Sequence, residues 1–224
     1  QNTKYGQESV SEFVRLYREG RRSKYVQPST PTDLRELKKW VEADGRPVLF
    51  VPGQLAHDAN VVVSLGDFDS YQEICQAVIQ SVPENWRVVF KAHPKELKPT
   101  KWQLVLPENV RIVENIGIHD IFELTAAVAT HSSNVGLEAL IAGLPVIVWG
   151  APVYAGKGCT LDLNSPEDIE AILARGVPES PRQVAVLALV GHLLHEGLVK
   201  VGEGEHLARL VDAASSRKPP PRLP

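Results

Sequence analysis

The chain has 224 residues, of which 43% are hydrophobic and 23% charged, with a formal net charge of −3; this is the make-up of a globular protein and not of a disordered one. Such a charge supplies no overall basic field for nucleic acid, and no run of about 18 apolar residues exists to span a bilayer. Cys75 and Cys159 are the only thiols, too few for a disulfide scaffold or a cysteine-rich zinc site. They point to a reducing compartment, and without a signal peptide at the start a cytoplasmic location is expected. The chain begins at Gln1 and contains no methionine, which reads as a piece of a longer enzyme.

Residues 8–19 carry Val10, Phe13, Val14 and Tyr17 at spacings of three and four, which predicts a helix with one apolar stripe. Arg15, Arg18, Arg21, Arg22 and Lys24 form a basic cluster there, either a solvated face or a surface for anionic lipid, where one anchoring signal stands in place of the usual two. Two prolines in 27–32 break the helix. Asp33 with Glu36 then predicts a capping box and a helix to about Ala43.

From Pro47 the pattern alternates. Residues 47–51 (PVLFV), 87–92 (RVVFKA), 110–113 (VRIV), 126–130 (AAVAT) and 145–149 (PVIVW) are short apolar runs, as strands buried on both faces should be. Between them, Ser70 with Glu73 caps a helix to about Val82, residues 119–125 form a short helix, and 134–142 form another that Gly143 stops. Further helix starts are predicted at Ser165-Pro166-Asp168 and, by the same signature, at Ser180-Pro181-Gln183, with a last helix over 205–214. The tail 218–224 (KPPPRLP) is too rich in proline to pack. Strands alternating with helices make an α/β fold, an open parallel Rossmann-like sheet with helices on both faces. The expected organisation is a helical lead-in over 1–46, a nucleotide-binding domain over 47–216 and a disordered tail over 217–224.

In such a sheet, ligands bind beyond the carboxyl ends of the strands. Polar and glycine-rich segments gather there: Pro52-Gly53-Gln54 with Asp58 after the first strand, Lys91 and His93-Pro94 at the second, His131-Ser132-Ser133 after the fourth, and Gly150 to Gly158 after the fifth. The opposite edge carries only turn residues. Ser132 and Ser133 are equally readable as plain N-caps or as a phosphate cradle at a helix N-terminus. Asp58 could merely cap a turn. His93 before proline is an odd strand exit unless its ring donates to something. Glu138, on an otherwise apolar helix, needs a polar cavity or a partner.

Other chemistries are missing. There is no Walker loop, no GxGxxG after the first strand and no GxSxG elbow. His192, His195 and Glu196 lie close on a helix, but without a third ligand they read as a polar helix face.

The ordered set PGQ at 52–54 with Asp58, KAHP at 91–94, SSNVGLEALIAGLPV at 132–146 and GAPVYAGKGCTLD at 150–162 resembles the nucleotide-binding half of a GT-B glycosyltransferase. More narrowly it is similar to the capsule polysaccharide biosynthesis family, which includes retaining β-Kdo transferases that use CMP-Kdo. Ser23-Lys24-Tyr25 with Gln27-Pro28 also resembles the stretch entering this half. Lys157 and Cys159 depart from it, standing where the family carries Trp and an aliphatic residue.

The resemblance implies that His93 and the Ser132–Ser133 turn hold the CMP phosphate, that Lys91, Pro94 and Gly136 belong to the same donor-binding set, and that Glu138 meets the ribose or base edge. Tyr154 and Gly156 would line the donor site. Asp58 would be the nucleophile that takes the sugar covalently, with Gln54 orienting it or the sugar; two displacements at one carbon account for retention. Helix dipole and His93 would offset the leaving phosphate without a metal or other cofactor. Partners implied are the nucleotide-sugar donor, a glycan or lipid-linked acceptor of capsule or lipopolysaccharide at the inner membrane, and an N-terminal GT-B domain for which 46 residues leave no room. A UDP-sugar transferase or epimerase, and a non-catalytic docking module, are the competing readings.

Overall fold

The computed structural model describes residues 7–21, 29–95 and 104–194. Its elements in chain order are α1 (Gln7–Glu19), α2 (Pro31–Glu42), β1 (Val48–Pro52), α3 (Ala59–Val62), α4 (Tyr71–Ser81), β2 (Arg87–Lys91), β3 (Val110–Val113), α5 (Ile118–Phe122), β4 (Ala127–Thr130), α6 (Asn134–Ala142), β5 (Val146–Val148), β6 (Leu161–Asp162), a 3₁₀ turn (Pro166–Asp168) running into α7 (Ile169–Leu173), and α8 (Gln183–His192). Six strands lie in the order β3-β2-β1-β4-β5-β6, all pairs parallel. The predicted open α/β sheet is the observed fold.

The strands are apolar throughout because each face meets a helical layer. Along β1, Val48 and Phe50 join one core with Val128, Leu140, Val146 and Val148. Leu49 and Val51 point the other way, into a core with Ile74, Val78, Trp86 and Ile147. The two-residue period of the pleat thus splits one hydrophobic run between two cores.

Helices α1 and α2 belong to the first core, through Val10, Val14 and Leu37. The described part of 1–46 therefore packs as one body with the domain that the sequence reading begins at 47. Arg18 Nε donates to the Ile141 carbonyl, while Arg21 pairs with Asp120 and Glu123 at 2.5 and 2.9 Å. Arg15 is taken up by Glu12 and Glu19. These three members of the basic cluster are thus engaged within the protein; Arg22 and Lys24 lie outside the described residues, as do Ser23 to Pro28, the helix expected over 205–214 and the tail.

Two helix starts differ from expectation. Helix α2 begins at Pro31 after Thr30, and no side chain caps it. Proline at the first helical position needs no N–H partner, so the start moves ahead of Asp33 and the Asp33–Glu36 capping box does not form. Helix α8 begins at Gln183 after Arg182, again without a side-chain cap; burial of Val186, Leu189 and Val190 fixes it in place of Ser180. The Ser70 cap, accepting from Glu73 N, forms as predicted, and the helix start predicted at Ser165 is made by a capping box with Asp168. Helix α6 has the predicted bounds, closed by Gly143 at φ 91°, where a side chain would be strained. The short β6 and α3 have no counterpart in the sequence reading.

Candidate active site

β1 is flanked by β2, reached through α4, and by β4, which follows β3 on the far side of β2. The chain reverses direction across the sheet at β1 and β4, and such a switch point opens a crevice beyond the carboxyl ends. A cleft of about 160 Å³ lies there. Its lining comes from the β1 exit (Pro52, Gly53, Gln54, Leu55, Asp58 and Asn60), the β2 exit (Lys91 to Pro94), Ile118, and the turn and first coils of α6 (Ser132 to Val135, and Glu138). That volume is below the roughly 300–1,000 Å³ of an enclosing ligand pocket.

The floor is a paired contact. Gln54 Nε2 donates to Ser132 Oγ at 3.0 Å, and Ser132 N donates back to Gln54 Oε1 at 2.9 Å. Gln54 thus holds the β4–α6 turn against β1, and its second N–H and second carbonyl lone pair are not used by these two bonds where it lines the cleft. Ser133 caps α6, accepting from Val135 N at 3.2 Å. The Asn134 N–H has no protein acceptor among the described residues. The N-cap reading of Ser133 is thus the observed one, and a capped helix with an open first-turn N–H is compatible with an anion there.

Cations face the same place. Lys91 is 4% exposed, and its Nζ donates to the Glu114 carbonyl at 2.6 Å. Burial pushes its pKa down to about 8, against the opposing pull of the Glu114 charge. No carboxylate among the described residues forms an ion pair with it. His93 accepts from Lys95 N through Nδ1 at 3.1 Å, which leaves the proton of the neutral ring on Nε2, a donor. Asp58 caps α3, with Oδ1 accepting from Asn60 N at 2.9 Å, and also lines the cleft. The turn-cap reading and the site reading of Asp58 are compatible, because one oxygen serves the cap and Oδ2 remains.

Three residues expected at the ligand wall lie elsewhere. Tyr154 is buried behind α6, and its hydroxyl donates to the Ser133 carbonyl; burial raises its pKa well above the ordinary value, keeping it a donor. Gly136 exists to admit that ring, since a Cβ there would stand 2.2 Å from the Tyr154 oxygen. Gly156 sits in an exposed turn, its N–H donated to Asp162 at 3.0 Å. None of the three lines the cleft. They shape the α6 N-terminus from behind, and a motif cannot reveal which side of a backbone its residues occupy.

Two residues outside the expected site support it. His131 is fully buried between Tyr71 and Trp149, with ring centroids 6.3 Å away on either side. Its Nε2 meets Ser64 Oγ at 2.8 Å, and Ser64 donates to the Asn60 carbonyl. The Ser64 proton being spent, His131 donates from Nε2. Burial holds its pKa down at about 4, so the ring is neutral. The chain His131–Ser64–Asn60–Asp58 ties α3 to the end of β4. Tyr17, from α1, lines a hollow between α1, α5 and α6 together with Glu138. The signal for His131 was its place among the strand-exit residues; Tyr17 offered none beyond its place on an apolar stripe.

Among the described residues no group of three or more His, Cys, Asp or Glu side chains could hold a metal ion. His192 ends α8, and His195 and Glu196 lie outside the described residues. No described helix is long and apolar enough to cross a membrane.

Comparison with known proteins gives a family match and a fold match. Residues 4–195 match the model of a capsule polysaccharide biosynthesis protein. The chain is 33% identical over 131 residues to the lipopolysaccharide-processing protein LpsZ of Rhizobium meliloti, covering 56% of this chain and 29% of that protein. It is 28% identical over 123 residues to the capsule polysaccharide modification protein LipA of Neisseria meningitidis serogroup B, covering 53% and 17%. The chain thus spans less than a third of the length of these relatives. Among solved structures it is similar to the KpsC β-Kdo 2,4 transferase of Thermosulfurimonas dismutans, with a TM-score of 0.60, 24% identity, and 84% of this chain on 56% of that one. The β-Kdo 2,7 transferase of the same organism gives 0.54, 24%, 93% and 62%. The shared fold is the Rossmann-like half of GT-B glycosyltransferases.

Proposed function

The chain belongs to the capsule polysaccharide biosynthesis family, and from that premise we propose that it is the donor-binding half of a glycosyltransferase that passes Kdo from CMP-Kdo to a glycan or lipid-linked acceptor with retention. The observation that carries this reading is the buried Lys91, which lines the switch-point cleft and donates to a carbonyl rather than into an ion pair. A desolvated cation beside an open helix N-terminus and the Nε2 donor of His93 is a site made for a phosphate.

In this reading the CMP phosphate lies against Lys91, His93 and the first turn of α6, and Glu138 accepts from the nucleotide. Asp58 attacks the anomeric carbon through Oδ2. A carbon–oxygen bond to Asp58 forms as the bond to the phosphate oxygen breaks, and CMP departs with the electron pair. The acceptor hydroxyl then attacks the same carbon, releasing the carboxylate and losing its proton to solvent or a base of the second GT-B domain. Two inversions give retention. Charge on the departing phosphate is met by fixed donors without a metal. The second domain of the GT-B cleft, in the same or another chain, supplies the acceptor side.

The test is thermal unfolding of the chain with CMP, CDP, UMP, UDP and GDP, repeated on His93→Ala. A ligand at 100 times its Kd adds about 2.7 kcal/mol. The expected result is a CMP-selective rise of the midpoint that His93→Ala abolishes. A UDP-selective rise replaces the donor, and no rise with any nucleotide overturns donor binding by this half.

A further inference from the structure

Helix α3 carries Asp58 at its N-cap, yet it is four residues long, far shorter than the roughly 12–15 residues an isolated helix needs in water. Val61 is its one buried residue, and Val62 and Val63 are 52% and 82% exposed. Apolar packing therefore pins the helix at one point without fixing how it turns about that point. Its polar ends supply the rest. Asp58 Oδ1 accepts from Asn60 N at 2.9 Å. One turn on, Ser64 Oγ donates to the Asn60 carbonyl, and His131 Nε2 meets Ser64 Oγ at 2.8 Å. We infer that His131 is a positioning residue for Asp58: acting through Ser64 and Asn60, it fixes the turn of α3 and so the place of the second carboxylate oxygen in the cleft.

The anchor is itself held on several sides. His131 is fully buried, edge-on to the rings of Tyr71 and Trp149. A Cβ on Gly150 would stand 2.7 Å from its Cδ2, so glycine at that position is what admits the imidazole. The backbone of His131 leads straight into Ser132 and Ser133, where Gln54 and the α6 cap fix the chain. In the donor reading, one turn thus seats the phosphate with its backbone and steers the nucleophile with a side chain. That sets the separation between an attacking carboxylate and a departing phosphate, on which a displacement depends steeply. The direction of the bond is also defined. The Ser64 proton goes to the Asn60 carbonyl, so the ring donates from Nε2. Burial holds the His131 pKa down at about 4, which keeps the ring neutral and this direction unchanged.

The inference rests on the proposed donor reading, and the experiment separates the two. The full chain is mixed with CMP-Kdo, and two events are followed: release of CMP at saturating donor, and the sugar ester on Asp58 by mass spectrometry. The dissociation constant of CMP is measured beside them. The unaltered chain is expected to release CMP and to carry the ester, and Asp58→Asn to do neither. His131→Leu and Ser64→Ala slow release about tenfold and leave CMP affinity unchanged, because the phosphate seat is untouched. His131→Gln, whose amide can place an N–H where Nε2 stands, recovers most of the rate. Ile74→Val, which thins the second core, lowers stability and leaves the rate alone. If both His131→Leu and Ser64→Ala keep the full rate, or Gln rescues nothing, the positioning role is wrong and the donor reading stands. If the unaltered chain binds no CMP, or binds it and forms no ester, the donor reading or its nucleophile falls and takes the inference with it. A ligand-free measurement tests the coupling directly: hydrogen exchange of the Asn60 amide is severalfold faster in His131→Leu than in His131→Gln, and equal rates overturn it.

Discussion

Strand β2 begins with one buried cation and ends with another, and the two are treated in opposite ways. At the amino edge Arg87 donates to Asp44 at 3.0 and 2.6 Å and lies 4.1 Å from the Trp40 ring centroid. Arg46 pairs with the same carboxylate, which these partners hold well below the usual carboxylate range. At the carboxyl edge, four residues on, Lys91 has a carbonyl and an open cleft. Both side chains pay desolvation. Only the first is neutralised within the protein, and that asymmetry separates a cation kept for the fold from one kept for a ligand.

The comparison breaks first at Arg87. Arg87→Ala removes two charge-assisted hydrogen bonds and the ring contact, and is expected to lower stability by about 2–3 kcal/mol, a value discounted because the Asp44 side chain is 37% exposed and recovers water. Denaturant unfolding measures it, and nucleotide affinity should be unchanged. Lys91→Met is expected to behave in reverse. Phosphate-bearing ligands should bind at least about tenfold more weakly, while stability at pH 7 rises by about 1–2 kcal/mol as a buried charge gives way to an apolar chain. Calorimetric titration with CMP alongside unfolding curves would separate the two effects; a fall in stability with unchanged affinity would make Lys91 another Arg87.

A pH series sharpens the same contrast. The folded Lys91 has its pKa lowered to about 8 from an ordinary 10.5, so between these values the unfolded chain binds the proton and the folded chain does not. The penalty is therefore in full force below pH 8 and is relieved as the pH rises toward 10.5. Anion affinity should move oppositely, falling as the pH rises through about 8. Both trends should vanish in Lys91→Met. The smallest effect is expected at Ser64→Ala, which breaks the link from His131 to α3 for about 1 kcal/mol. Hydrogen exchange at Asn60 to Val63 should accelerate, with β4 unaffected.

Much of this contrast was legible from residue types. The five apolar runs gave strands because a sheet covered on both faces has no polar alternation to hide, and Ser133 and Gly143 bounded α6 because cap chemistry is local. The collection of Gln54, Asp58, Lys91, His93, Ser132, Ser133 and Glu138 at one edge followed from parallel topology. What failed to read out was anything decided across space. Tyr154 and Gly136 sat in a motif yet turned out to be mutual packing partners. Asp33 and Ser180 had capping chemistry, but Pro31 and the burial of α8 set those helix starts. Asp44, Arg87 and Trp40 meet across the amino edge without any pattern linking them in the chain, and Tyr17 and Glu138 likewise come from distant parts of the chain to line one hollow.

The Gln54–Ser132 floor joins residues 78 positions apart, and β1–β4 is the parallel pairing that unites the two three-strand halves. Such a contact carries a loop-closure cost that local contacts do not, and non-local parallel pairing tends to form slowly. In kinetic terms, the crevice is expected to come into being when the halves dock, near the end of folding rather than at its start. A nucleotide seated across that seam would therefore act on the native state's lifetime, slowing the halves' separation while leaving the refolding rate almost untouched.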